Sequence, residues 1–107
     1  LEESAVNIPN NEYIDCLPNR IVVEVPAKIN NQGIHGITLE NYPKGFGNLL
    51  NSQVGVIQLT TEAILNKSKH FAYLALLADP VVDNAIAAEK LLDNIIEKQS
   101  EFLGYLN

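Results

Sequence analysis

The side chains able to do chemistry are few and far apart. There is one cysteine, Cys16, and two histidines, His35 and His70. His35 has the chemistry of a ligand or a base, but no second donor stands near it along the chain. A lone histidine at a strand end is read as a structural or surface residue. Cys16 could be a nucleophile or a metal ligand. Without a neighbouring base or further thiols it reads as a small packed hydrophobe. Glu24 is a carboxylate within a strand. Hydrolysis by paired carboxylates needs two of them roughly 5–9.5 Å apart, and no such pair stands out. Tyr13, Tyr42, Tyr73 and Tyr105 read as packing residues rather than bases.

The elements that would position these groups fall into two stretches. Residues 1–40 read as strands and a hairpin, and residues 43–107 as helices. A short strand is expected over 4–8, stopped by Pro9, followed by the turn-prone Asn10-Asn11-Glu12. The clearest strand covers 20–25, Arg-Ile-Val-Val-Glu-Val, rich in β-branched residues and punctuated by Pro26. Its alternation puts Ile21, Val23 and Val25 on one face and Val22 and Glu24 on the other. Asn30-Asn31-Gln32-Gly33 is a hairpin loop in which Gly33 is free to take positive φ. A return strand is expected over 34–39.

Pro43 marks the change to helix. Phe46, Leu50, Val54, Ile57 and Ile64 recur at helical spacing and predict a helix over 46–67. Leu49, Val56, Leu59 and Ala63 widen the stripe, which calls for contacts on two sides. Ser68 is placed to cap a second helix over 69–78, ended by Asp79-Pro80. Asp83 is expected to cap the last helix, over 84–105. Strands followed by three helices make the fold class α+β.

Composition excludes several classes of function. Hydrophobic residues make up 47% of the chain, enough for a real core. The net charge is −6, from 13 acidic against 7 basic residues, and the basic ones are scattered. Neither nucleic acid nor an anionic membrane suits such a surface. No apolar run approaches the roughly 18 residues of a membrane span. A single cysteine excludes an internal disulfide framework. Gly45-Phe46-Gly47 lacks the third glycine of a dinucleotide-binding turn. The chain starts at Leu1 and contains no methionine, so it is expected to be a piece of something longer.

Five segments in order resemble the C-terminal part of family 4 glycoside hydrolases. They are Val6-Asn7-Ile8-Pro9-Asn10-Asn11-Glu12-Tyr13-Ile14 with Leu17-Pro18, then Val22 to Ala27, then Gly33-Ile34-His35-Gly36. Gln53 to Leu59 with Thr60, Glu62 and Ala63 is the fourth, and Ala75 to Pro80 the fifth. The resemblance covers nearly the whole chain. Three positions depart from the family pattern: Glu12 stands where Gly is frequent, Cys16 where Asn is frequent, and Gly36 where Pro is frequent.

The resemblance implies a fold like part of the lactate dehydrogenase C-terminal domain. It also implies a single, partial C-terminal domain over 1–107 of a cytoplasmic, homo-oligomeric glycosidase. Such enzymes use NAD to oxidise the sugar at C3, eliminate the aglycone, add water and reduce the ketone again. A divalent metal, commonly manganese, polarises the C2 and C3 oxygens. The style of the first segment resembles the α-glucosidase, α-galactosidase and α-galacturonidase branch. The family's NAD fingerprint, metal ligands and base lie upstream of the stretch matched here. No catalytic, cofactor-binding or metal-binding residue is therefore assigned in this chain, and no cofactor is expected to bind this segment alone. His35 is the one candidate for lining the α-glycoside pocket. The alternatives are the C-terminal domain of a lactate- or malate-type dehydrogenase and a non-enzymatic interaction module.

Overall fold

A computed structural model describes residues 1–106. The elements are β1 (Glu2–Pro9), β2 (Val22–Asn30), β3 (Gly33–Gly36), α1 (Lys44–Leu65), α2 (Lys69–Ala78), α3 (Ala85–Lys98) and the single turn α4 (Ser100–Leu103). They form two compact units, Leu1–Asn51 and Ser52–Asn107. The class is α+β, as the sequence predicts, with a three-stranded antiparallel sheet ordered β1-β2-β3.

In the first unit β2 is the central strand. Val23, Val25 and Ala27 are buried on one face, while Val22 and Glu24 stand exposed on the other. This is the alternation expected of a half-buried strand. The strand does not stop at Pro26 as predicted, but runs on to Asn30. Two local devices accommodate a proline in a central strand. On the β1 side, Glu3 pairs with Ala27 and Val6 with Val25, so Ser4 and Ala5 together oppose Pro26 in a bulge. On the β3 side, the Pro26 carbonyl still accepts from the Ile37 N–H at 2.8 Å. Pro26 cannot return the second bond of that pair, and pairing of β3 ends at Gly36 rather than at the predicted residue 39. Gly33 takes φ +124 where the hairpin turns back into β3.

Residues 10–21 join β1 to β2 around one buried side chain. Asn10 is only 2% exposed. Its backbone N–H donates to the Ile21 carbonyl at 2.7 Å, and its carbonyl accepts from the Arg20 N–H at 2.9 Å. Its amide nitrogen lies 3.0, 3.1 and 3.2 Å from the carbonyl oxygens of Ile14, Leu17 and Pro18. Its amide oxygen accepts from the Ile14 N–H at 3.1 Å. Ile14 and Leu17, which flank this network, are buried. The loop carries backbone strain at Glu12 (φ 61) and Arg20 (φ 74). Left-handed backbone costs a side-chain-bearing residue about 1–2 kcal/mol. The Glu12 N–H is held by the Asn19 side chain at 3.1 Å.

α1 spans 44–65 rather than the predicted 46–67. It starts directly after Pro43, whose carbonyl accepts the Gly47 N–H at 3.0 Å. Its first turns are fastened to the loop: Asn51 donates its amide to the Cys16 carbonyl at 2.8 Å. A Cβ on Gly47 would overlap the Cys16 sulfur, so only glycine lets the helix approach this closely. At its far end the Ser68 N–H reaches the Ala63 carbonyl at 2.9 Å and the Lys67 N–H reaches Ile64 at 3.3 Å. This is a Schellman closure with Lys67 (φ 53) in the left-handed position.

In the second unit α2 keeps its predicted bounds, and the Ser68 hydroxyl accepts the Phe71 N–H at 3.3 Å. α2 and α3 pack together, burying Ala75, Ala88 and Leu92. Lys69 of α2 pairs with Asp93 of α3. The cap of α3 is Asn84, not Asp83. Asn84 has extended backbone (φ −138, ψ 107) and its side-chain oxygen accepts the Ala87 N–H at 2.9 Å. The predicted single helix over 84–105 is broken at Gln99 (φ −110, ψ 31), after which one further turn forms.

Two stability outcomes follow from these contacts. Asn10→Ala should lower the unfolding free energy of the chain by about 3 kcal/mol, since buried carbonyls and an N–H lose their partner. Asn10→Asp, similar in shape but without the amide donors, should lose nearly as much. Denaturant titration checks both, and a loss within about 0.5 kcal/mol, the range of an ordinary surface substitution, would contradict the clamp. Gly47→Ala should cost about 1–3 kcal/mol through overpacking against Cys16. Adding Cys16→Ala should recover much of that loss, so a double-mutant cycle should show clear coupling.

Candidate functional site

The structure separates the groups singled out in the sequence. His35 lies on β3, exposed, opposite Lys28 of β2. Lys28 in turn reaches Glu2 of β1 at 3.9 Å, so the three side chains form an exposed polar row across the sheet. No thiol or second imidazole stands in that row. Glu24 is exposed opposite Asn7. His70 lies on α2, its ring centre 6.3 Å from that of Phe71. Among the described residues no three His, Cys, Asp or Glu side chains come together as a metal's ligand set.

The tyrosines divide. The Tyr13 ring lies against Gly36 so closely that a Cβ there would stand 2.7 Å from it. The Tyr13 carbonyl accepts the Leu39 N–H at 2.8 Å, which draws the segment after β3 onto the 10–21 loop. The Tyr73 hydroxyl donates to the Ala85 carbonyl at 3.4 Å. These two serve packing. Tyr42 is half-buried and lines a cleft.

That cleft lies in the first unit and has a volume of about 550 Å³. Asp15 and Cys16 form one wall. Asn41, Tyr42 and Pro43 form the turn opposite, and Lys44 and Asn48 come from the start of α1. The walls are fixed by contacts already described: Asn10 holds the loop that carries Asp15, and Asn51 and Gly47 hold the helix against Cys16. Asn41 is strained at φ 56. Sequence reading assigned no role to Asp15, Asn41, Lys44 or Asn48. The only available signal was the polar run Asn41-Tyr42-Pro43-Lys44 directly before a helix.

These residues do not suit NAD. The turn into α1 follows no strand directly, and Gly47, where backbone could approach a pyrophosphate, is covered by Cys16. They do not suit a catalytic metal either, since Asp15 and Cys16 are the cleft's only anionic-type ligands.

Comparison with known proteins supplies the family. Residues 2–82 match the model of the family 4 glycosyl hydrolase C-terminal domain. The chain is 45% identical over 98% of its length to an alpha-glucosidase of Erwinia rhapontici, of which it covers 23%. It superposes with a TM-score of 0.88 on a 6-phospho-alpha-glucosidase from gut microorganisms, solved with NAD and glucose-6-phosphate. That match has 26% identity and covers 96% of this chain and 23% of the other. A second gut 6-phospho-alpha-glucosidase, solved with NAD and Mn2+, matches with a TM-score of 0.84 over 92% of this chain and 23% of that one. Its 23% identity speaks for the fold alone. The chain thus spans roughly a quarter of the length of the relatives it matches. The readings as a dehydrogenase domain or a free interaction module give way to the family match. With a family model matched over most of its length and an alpha-glucosidase related along nearly all of it, the chain belongs to the family 4 glycosyl hydrolases, as a C-terminal part of them.

Proposed function

We propose that residues 1–107 are a single, partial C-terminal domain of a longer α-glycosidase. That enzyme would hydrolyse α-glycosides by the family's NAD-dependent redox elimination and addition, with manganese as its metal. The observation that carries this reading is the 45% identity to an alpha-glucosidase along 98% of the chain. That 45% stands against 26% to a 6-phospho-alpha-glucosidase, a contrast that supports an unphosphorylated substrate over a sugar phosphate. NAD and manganese would be held by residues outside this chain, since those described here do not fit either group.

The segment's own task is support. It frames the substrate pocket, with His35 on the exposed hairpin as the candidate lining residue, and it contributes to subunit contacts of a homo-oligomer. The face of α1 supports such contacts: Phe46 is 62% and Ile57 50% exposed, large apolar side chains that burial would stabilise. No helix among the described residues is long and apolar enough to cross a membrane. The lone cysteine, Cys16, fits the reading as a cytoplasmic enzyme.

Hydrolysis of a panel of aryl α-glycosides, with NAD, manganese and a reductant, tests the reading. The longer protein containing this chain should be active, and the chain alone should not. Activity in the chain alone, or a longer protein inactive on every α-glycoside, would overturn it.

A further inference from the structure

The support role leaves the cleft between the 15–16 loop and the start of α1 unaccounted for. Its polar side chains, Asp15, Asn41, Tyr42, Lys44 and Asn48, have no hydrogen-bond or ion-pair partner within the described residues. They nevertheless converge on one concavity whose walls are clamped by Asn10, Asn51 and Gly47. Its volume of about 550 Å³ sits within the roughly 300–1,000 Å³ of small-molecule sites.

We propose that this cleft binds a neutral, hydroxyl-rich ring: a sugar unit of an α-linked oligosaccharide. The donor and acceptor inventory decides the ligand class. Asp15 only accepts, Lys44 only donates, and the amides of Asn41 and Asn48 do both. Adjacent sugar hydroxyls, each a donor and an acceptor, satisfy such a set. Tyr42 is half-buried and offers an aromatic surface to the ring's C–H face. One carboxylate and one ammonium leave the cleft without net charge, and Asp15 would repel a phosphate. A sugar phosphate or free anion is therefore disfavoured. The choice of an α-linked sugar rests on the glycosidase reading; the choice of a neutral polyol rests on the cleft alone.

Titration of maltose into the 15N-labelled chain, followed by amide shifts, tests the proposal. Saturable shifts are expected at Asp15, Cys16 and the amides between Asn41 and Asn48. Asn48→Ala, at an exposed helix position, should leave the rest of the spectrum unchanged and weaken binding about fivefold, the equivalent of one hydrogen bond. Asp15→Asn should weaken it about tenfold, because a charge-assisted bond is lost. Inorganic phosphate should leave these amides unmoved. Saturation by phosphate instead of maltose, maltose shifts confined to other residues, or no saturable shift at all would each overturn the proposal. If the longer enzyme hydrolyses α-glycosides while the cleft stays silent, only this inference fails. If maltose saturates the cleft but the longer protein has no glycosidase activity, the cleft stands and the enzymatic reading falls.

Discussion

The arrangement of the first unit depends on satisfying one buried amide. Burying a polar side chain is unfavourable unless its hydrogen bonds are restored inside the protein. Asn10 restores them within its own loop. It takes up carbonyls at Ile14, Leu17 and Pro18 and gives its oxygen to the Ile14 N–H. Its backbone closes the last rung between β1 and β2 through Ile21 and Arg20. A segment with no regular secondary structure thereby acquires the internal bonding of a turn of helix. Two of its apolar side chains, Ile14 and Leu17, are buried, and Asp15 and Cys16 are presented to the cleft. The loop also tolerates left-handed backbone at Glu12 and Arg20, because the surrounding bonds over-determine it.

The second constraint is the approach of α1 to that loop. Gly47 removes the Cβ that would meet the Cys16 sulfur, and Asn51 anchors the Cys16 carbonyl. Cys16 is therefore held by packing rather than by any bond of its thiol to a metal or disulfide partner among the described residues. It is a half-buried packing group at the wall of a polar cleft. The same helix leaves Phe46 and Ile57 in the open.

Much of this was legible in the residues, and the gaps have physical reasons. Period-two alternation revealed β2 and its buried face, and period-3.6 spacing revealed α1. Ser68 announced α2 because a hydroxyl before an apolar run is a local signal. The extension of β2 through Pro26 was not legible, since it depends on a bulge at Ser4 and Ala5 in another strand. The choice of Asn84 over Asp83 as cap rests on backbone angles that both neighbours could have adopted. The break at Gln99 interrupts a pattern whose apolar spacing continues to Leu103. Asn10 read as an ordinary turn residue, because burial of a loop asparagine is set by tertiary contacts. The cleft was hidden for the same reason: Asp15 and Asn48 meet only once the helix docks on the loop. His35, by contrast, was placed on its hairpin from sequence, and it stands there exposed.

If the segment frames a site without supplying its chemistry, as proposed, it should be indispensable and inert at once. Reconstitution measures this directly. The longer enzyme lacking these 107 residues would be assayed on an aryl α-glucoside with NAD and manganese, before and after this chain is added in trans. The account predicts no hydrolysis from the remainder or the chain alone, and recovery when the two are combined. Full activity of the remainder without this segment would contradict it.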